Sequence, residues 1–493
     1  MKWLFSALGK QVRTLCTNID SRNFSKFEKY NYPIIKNENS KTIELKNDLL
    51  KSYDARTVNG IYDYNESSGN FIVNADKNVL LDVFCNIAAV PIGYNNPKLI
   101  ERFNTKNYLP LLLHRNALGV MPPIEWNELI NNIMNKMAPI GLDYIHAGCG
   151  CGTGANENAI KAAFLYKYYK DNDLNDDLLL EHHTESCMKN LPPGAPEYEM
   201  ISFDKAFHGR SLGCLSVSYS KPIHKVGIPA FKWNKVDFPN IQYDSSSKTA
   251  ILNNIEEEFV LNKVYEKLQK NDKIAGLIVE PIQSEGGDNH ASNSFFKEIQ
   301  NICKEFDIKF IVDEVQTGMG ATGKFWAHEH WNLDTPPDIV TFAKKAQTSG
   351  FFAKKELMPP YPYQIFNTWM GDATRTMILN EILDIINEDN LIDNVSSTGN
   401  YLYRNLKILQ NNNKIFNLRG KNKGTYIAFD LFIPSEDENR RIEIVNKFKN
   451  DMKENGVIIG TCGSKESIRL RPSLIFEKHH ANIFLEKMEK ILK

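Results

Sequence analysis

Two apolar runs end in residues that suit each other chemically. Phe310-Ile-Val-Asp-Glu-Val-Gln316 places Asp313 after three apolar residues, and 31 positions later Thr341-Phe-Ala-Lys-Lys345 places Lys344 after another such run. In an open α/β sheet, functional side chains gather at the carboxyl ends of strands. A lysine there, desolvated and next to a second cation, has a lowered pKa, so its amine is free to attack an aldehyde and to move protons. A carboxylate facing a pyridine nitrogen keeps that ring protonated and electron-withdrawing. A Schiff-base lysine and a pyridinium partner are what pyridoxal phosphate requires of a protein. The pattern leaves Lys344 and Lys345 as rival candidates, one pointing into the site and the other away.

A third element fits the same chemistry. Gly148-Cys-Gly-Cys-Gly-Thr-Gly-Ala155 precedes a helical pattern over Asn156 to Lys170. A glycine-rich turn at a helix N-terminus presents backbone N–H groups to a phosphate dianion, and Thr153 can add a hydroxyl. The glycine spacing does not match a dinucleotide fingerprint.

The elements that must hold these residues alternate. Met200-Ile-Ser-Phe203, Ala275 to Val279, Phe310 to Val312 and Asp338 to Phe342 read as strands, with helices between several of them, notably Ser294 to Phe306. That alternation implies βαβ units and a mostly parallel sheet. Upstream, Gly69 to Asn74 and Val79 to Phe84 read as short strands, and Pro122 to Met137 as a helix. Asp171 to Pro193 reads as a polar insertion loop. Downstream, a helix over Ile378 to Ile386 leads into an α+β portion.

Composition narrows the function classes. The chain has 493 residues, 42% hydrophobic and 24% charged, with a net charge of −1 and a mean hydropathy of −0.39. This is globular composition with room for two or three domains. It has neither the basic excess of a nucleic-acid binder nor an apolar run of membrane-spanning length. Eight irregularly spaced cysteines fit reduced thiols better than a disulfide framework. The first ~25 residues carry Lys2, Lys10 and Arg13, with no acid before Asp20, beside apolar residues at helical spacing. That is the profile of a mitochondrial presequence, and matrix localisation is expected.

Other motifs are weaker. Gly318-Met-Gly-Ala-Thr-Gly-Lys-Phe325 nearly fits a nucleotide phosphate loop, but Phe325 stands where Ser or Thr must hold magnesium. His328-Glu-His330 and His479-His480 lack zinc-site spacing and read as exposed helix surface. His182, His183 and Cys187 read as solvated loop residues. No metal site is expected.

Longer runs carry a resemblance: Ala206-Phe-His-Gly-Arg210, Ile278 to Ser292, Val312 to Gly318, Thr322 to Trp331 and Ile365-Phe-Asn-Thr-Trp369. With weaker similarity from about Tyr30 onward, the chain resembles the class III pyridoxal-phosphate-dependent aminotransferases, in particular their mitochondrial eukaryotic 4-aminobutyrate branch. The resemblance implies fold type I: a large domain with a mostly parallel, seven-stranded type of sheet, and a smaller α+β domain from both chain ends. The corresponding boundaries are 1–25 for the presequence, 26–105 for an N-terminal segment shared between the small domain and a dimer interface, 106–372 for the large domain and 373–493 for the small domain. It implies a homodimer and transfer of the amino group of 4-aminobutyrate to 2-oxoglutarate, giving succinate semialdehyde and glutamate. The alternative is a related ω-aminotransferase preferring β-alanine, ornithine or lysine.

Residue by residue, the resemblance makes Lys344 the Schiff-base lysine, Asp313 the pyridinium partner and Gln316 a hydrogen-bonding neighbour of the ring hydroxyl. Gly152 and Thr153 match the phosphate-binding pair, Phe207 would stack on the ring with His208 beside the cofactor, and Thr368 would reach the neighbouring subunit's phosphate. For substrate, Arg210 matches the arginine for the distal carboxylate and Arg469 the one for the α-carboxylate of glutamate. Glu285 would pair with Arg469 when 4-aminobutyrate is bound, and Ile87 would line the substrate. In one place the pattern departs. Some animal members carry Cys-x-x-Cys for an iron–sulfur cluster. Here Cys151 matches the first cysteine, but Gly154 replaces the second, so no cluster is expected.

Overall fold

The computed structural model describes residues 27–36, 39–173, 181–243, 246–431, 437–464 and 467–493. The basic N-terminal segment read as a presequence lies outside them. The strands in chain order are β1 (Tyr62–Ser68), β2 (Phe71–Asn74), β3 (Val79–Asp82), β4 (Tyr144–Ala147), β5 (Glu199–Phe203), β6 (Asn234–Val236), β7 (Ile274–Val279), β8 (Lys309–Asp313), β9 (Ile339–Phe342), β10 (Gly350–Ala353), β11 (Phe416–Arg419), β12 (Ile427–Asp430), β13 (Val457–Ile458), β14 (Gly460–Cys462) and β15 (Ser467–Leu470).

Seven of these form the central sheet, in the order β4-β10-β9-β8-β7-β5-β6. β10 runs antiparallel to both neighbours, while the pairs among β9, β8, β7, β5 and β6 are parallel. β7, β8 and β9 are buried along their whole length, as expected of parallel strands covered on both faces. Helices Gly152–Asp171, Ser247–Lys270 and Asn293–Glu305 pack against this sheet. Ser292 caps the last of these by accepting from the Phe295 N–H.

The chain ends build two smaller sheets. β1, β2 and β3 are joined by β13, so strands from opposite ends of the chain share a sheet. β11, β12, β15 and β14 form an antiparallel sheet; helix Leu391–Asn411 packs on β11, Glu438–Glu454 on β13, and Lys478–Ile491 against both helices. A second apolar core, including Phe71, Leu81, Leu406, Ile427, Phe429 and Phe484, welds these sheets and helices together.

Several local readings need correction. The span expected to be a polar loop after Asp171 contains a helix, Glu181–Cys187. Within it His183 is buried, with its Nδ1 2.5 Å from the Tyr168 hydroxyl. His480 and His328 do not lie on an exposed helix surface. His480 is fully buried against Glu28, and His328 is buried with its Nδ1 2.9 Å from Glu314. The partners of His183 and His328 lie 15 and 14 residues away, and that of His480 lies 452 residues away. The loop resembling a nucleotide phosphate motif is mostly buried and leads into a short 3-10 turn, Ala327–Trp331, instead of opening a long helix.

Candidate active site

The carboxyl ends of β5, β7, β8 and β9 converge on a cavity of about 520 Å³. Asp313 ends β8, Glu280 follows β7, and Ala343 and Lys344 follow β9. Phe207, His208 and Gly209 come from the loop after β5, and Gly150 to Thr153 from the loop after β4. A strand that ends on the sheet's edge delivers its next side chain there without further folding cost. This is why apolar runs ending in a charged residue are informative.

The glycine-rich loop does open a helix, starting at Gly152. Its N-cap, Cys151, makes no side-chain capping bond. The first backbone N–H groups, which have no intrahelical partner at any helix start, are therefore left open to an anion. Thr153 adds its hydroxyl at the same place. Close packing requires glycine twice. A Cβ on Gly152 would lie 2.6 Å from Val315, and one on Gly209, at φ +134°, would lie 2.4 Å from the Thr153 hydroxyl.

Asp313 is held from three sides. Its Oδ2 accepts from Asn156 Nδ2 at 2.7 Å and lies 2.8 Å from His208 Nδ1, and its Oδ1 accepts from the Val315 N–H at 3.0 Å. Asn156 is fixed in turn: its Oδ1 accepts from Thr341 and its Nδ2 also donates to the His208 carbonyl. The far nitrogen of His208, Nε2, is buried without a hydrogen bond among the described residues. Burial, and then the nearby Asp313 charge, push the Glu280 carboxyl well above the usual carboxylate range. It accepts from the backbone N–H groups of Phe207 and Ser284.

The two lysines part company. Lys344 adopts a left-handed backbone, φ +50°, and lines the cavity. Burial pulls its amine down to about 8, with nearby Glu285 opposing and Arg469 assisting. Lys345 is buried and does not line the cavity; its Nζ donates to the Gln316 carbonyl at 3.3 Å. Burial, with Lys344 beside it, lowers it to about 7.

The C-terminal sheet contributes from the other side. Arg469 on β15 donates from Nη1 to Glu285 Oε1 at 2.8 Å, and Gln316 Oε1 lies 3.5 Å from the same nitrogen. Burial opposes both charges of this pair, but their mutual attraction outweighs it. Glu285 is held below, and Arg469 above, its usual range. Arg469 Nε is buried and unbonded among the described residues.

Of the residues singled out in sequence, Gly152, Thr153, Phe207, His208, Asp313, Gln316 and Lys344 line the cavity. Glu285 and Arg469 adjoin it through Gln316. Arg210, Thr368 and Ile87 do not line it. Arg210 is exposed beside it: its backbone N–H donates to Thr153 Oγ1 at 3.4 Å and its side chain lies near the Phe207 ring. Thr368 is exposed, with its carbonyl bonded to the Leu118 N–H. Ile87 is exposed within four consecutive left-handed residues, Cys85 to Ala88. Cys149 is buried and Cys151 exposed, so the two thiols occupy different environments. Asn156, Glu280, Ser284, Thr317, Gln347, Thr348 and Arg375 also line the cavity and were not singled out. Glu280 had a signal, because it follows an apolar run as Asp313 does.

Comparison with known proteins supplies a lineage. The family model for class III aminotransferases matches residues 52–492. A 4-aminobutyrate aminotransferase of Emericella nidulans is 45% identical over 90% of this chain and 87% of its own length. The mitochondrial 4-aminobutyrate aminotransferase of Homo sapiens is 40% identical over 94% of this chain and 91% of its own. Among solved structures, a lysine aminotransferase of M. tuberculosis superposes with a TM-score of 0.78 at 24% identity, covering 92% of this chain and all of that one. At that identity it shows the shared fold alone.

Proposed function

This chain belongs to the class III aminotransferases, and on that premise we propose that it moves the amino group of 4-aminobutyrate to 2-oxoglutarate, yielding succinate semialdehyde and glutamate. The observation that carries this reading is the Arg469–Glu285 pair beside an amine-bearing cavity. Relatives named for 4-aminobutyrate, at 40–45% identity over most of the chain, support it.

The residues present fit pyridoxal 5'-phosphate. The uncapped helix start at Gly152, with the Thr153 hydroxyl, suits its phosphate. Asp313, braced by Asn156 and His208, suits its ring nitrogen. Phe207 would offer a ring face, and Gln316 an amide to serve the ring oxygen. Lys344 offers the amine. When bound, this cofactor supplies an aldehyde carbon for the amino group and a ring that withdraws electrons.

The protein's own work is to bind, orient and move protons. Lys344, with its amine lowered to about 8, can lose its proton near neutral pH and then carry one to and from the substrate carbon. Arg210 holds the carboxylate remote from the reacting amine, which both substrates possess. Arg469 holds the second carboxylate that only glutamate and 2-oxoglutarate carry, since guanidinium binds carboxylate bidentately. With 4-aminobutyrate bound, Glu285 keeps Arg469 neutralised. An unpaired buried arginine would be costly. A single site thus accepts two substrates by exchanging one carboxylate partner for another.

We further propose a homodimer, in which Thr368 serves the neighbouring subunit's phosphate, and matrix import directed by residues 1–25. The domain boundaries 26–105, 106–372 and 373–493 belong to the same reading. The test is to mix loaded protein with 4-aminobutyrate, follow loss of its visible absorbance and assay succinate semialdehyde. Adding 2-oxoglutarate should restore the absorbance and release glutamate. Faster turnover of β-alanine, ornithine or lysine would transfer the assignment to another ω-aminotransferase. Sedimentation of an active monomer would remove the dimer, and a cytosolic reporter fused to residues 1–25 would remove the import.

A further inference from the structure

Gln316 is gripped at both ends. Its main-chain carbonyl accepts from Lys345 Nζ at 3.3 Å. Its side-chain Oε1 accepts from Arg471 Nε at 3.0 Å, with Arg469 Nη1 at 3.5 Å. A carboxamide has an oxygen that accepts and a nitrogen that donates, and the two can exchange places by a flip. Guanidinium only donates. Two arginines on one end therefore require oxygen there, and the NH₂ group must take the other end. Gln316 lines the cavity.

Arg471 is built to stay where it is. Arg469 and Arg471 lie two residues apart at the end of β15, so they leave the extended chain on the same face. Their surroundings differ sharply. Arg469 has one carboxylate partner and an unbonded Nε among the described residues. Arg471 pairs with Asp288, donates to the Leu470 carbonyl at 2.8 Å, donates to Gln316 and lies 3.3 Å from the Tyr426 ring centroid. Tyr426 in turn bonds Ser284 of the cavity wall. All three guanidinium nitrogens of Arg471 are thus engaged, which holds the side chain in one place.

We propose that Arg471 is a positioning residue that locks the Gln316 carboxamide in one flip, so that Nε2 donates into the cavity toward the ring oxygen of the bound cofactor. This rests on the reading of the cavity as a pyridoxal phosphate site. Arg471 touches neither substrate nor cofactor. It acts by making Gln316 a donor in advance of binding, which spares the reorganisation a freely flipping amide would undergo. Lys345 steadies the same residue through its backbone, which gives the second lysine of the pair a place in the site's architecture.

The experiment compares two ligands by equilibrium binding to cofactor-free protein: pyridoxal 5'-phosphate and its 3-deoxy analogue, which lacks the ring oxygen. The native chain should prefer the former. Arg471→Lys keeps a cation for Asp288 but has no Nε fork. It should weaken pyridoxal phosphate about tenfold, the scale of one charge-assisted hydrogen bond, and leave the analogue unchanged. Gln316→Leu should do the same, and the double variant should lose no more than Gln316→Leu alone. Equal weakening of both ligands, or additive losses, would make Arg471 merely structural and overturn the proposal. If Arg471→Lys does not fold by circular dichroism, Asp288→Asn, which releases the far end of the guanidinium, carries the same expectation and the same refutation. A native chain that binds neither ligand would overturn the reading beneath, and this inference with it.

Discussion

The two sides of the cavity are built on different principles. The side made by β8, β9 and the helix Gly152–Asp171 holds its polar groups in a hydrogen-bond network at one sheet edge: Asp313 rests on Asn156, His208 and a backbone N–H. The side made by β15 brings cations across from another sheet and matches each with a carboxylate, Arg469 with Glu285 and Arg471 with Asp288. A hydrogen-bond network braces a carboxylate in one orientation toward a ligand. A counter-ion cancels the charge until a better partner displaces it. The first arrangement suits a permanently held group; in the second, the Arg469–Glu285 pair suits exchangeable substrates, while Arg471 stays pinned to Asp288.

The largest expected effect lies on the braced side. Lys344→Ala should abolish turnover, with Lys345 unable to substitute because it does not line the cavity. Borohydride reduction of the loaded protein and peptide mapping should label Lys344, and a label on Lys345 would reverse the assignment. Asp313→Asn preserves shape but removes the charge, and should lower kcat by about 10²-fold or more. A variant at near-native rate would mean that the bracing, and not the charge, is what matters there.

The exchangeable side should fail selectively. Arg469→Ala should weaken the 2-oxoglutarate half-reaction by roughly 2–5 kcal/mol, the scale of a buried charged pair losing one member, and the 4-aminobutyrate half-reaction less. Single-turnover spectra of each half separate the two, and equal damage would make Arg469 structural. Glu285→Gln should act in the opposite sense, harming 4-aminobutyrate more than glutamate, because only then is Arg469 left without its carboxylate.

The smallest effect concerns pH. A lysine whose pKa in the folded protein is lowered is charged below that value and free above it. The rate at which cofactor-free protein captures pyridoxal phosphate should therefore rise with pH and level off above about 8, the value to which burial brings Lys344. In stability the sign is the same. Between about 8 and its unfolded value, the unfolded chain binds more protons at this residue, so this contribution to stability rises with pH. Stopped-flow absorbance across pH 6 to 10 checks the first statement, and a capture rate independent of pH would show that Lys344 is not the limiting group.

How much of this was legible depended on where each residue's partners lie along the chain. Asp313 and Lys344 were visible because a buried parallel strand needs a continuous apolar run, and its carboxyl end is a functional edge whatever the rest of the chain does. The glycine loop was visible because an anion at a helix start needs close backbone approach. The parallel part of the sheet was legible as alternation, and its seven-stranded type only through the family resemblance; the reversed β10 was not legible, since a short apolar run carries no direction. The buried histidines were misread because their partners lie beyond the local pattern, 14 and 15 residues away for His328 and His183 and 452 for His480, which meets Glu28. Arg469 and Arg471 look alike in Ser467-Ile-Arg-Leu-Arg-Pro472. Only the packing of the C-terminal sheet against residues 284–288 and Gln316 decided that one keeps an exchangeable partner while the other is pinned. Local sequence sets strand ends, caps and turns, because those depend on neighbours a few residues away. The choice of counter-ion, the direction an amide faces and which of two adjacent lysines enters the cavity are set by segments that meet only when the chain is folded.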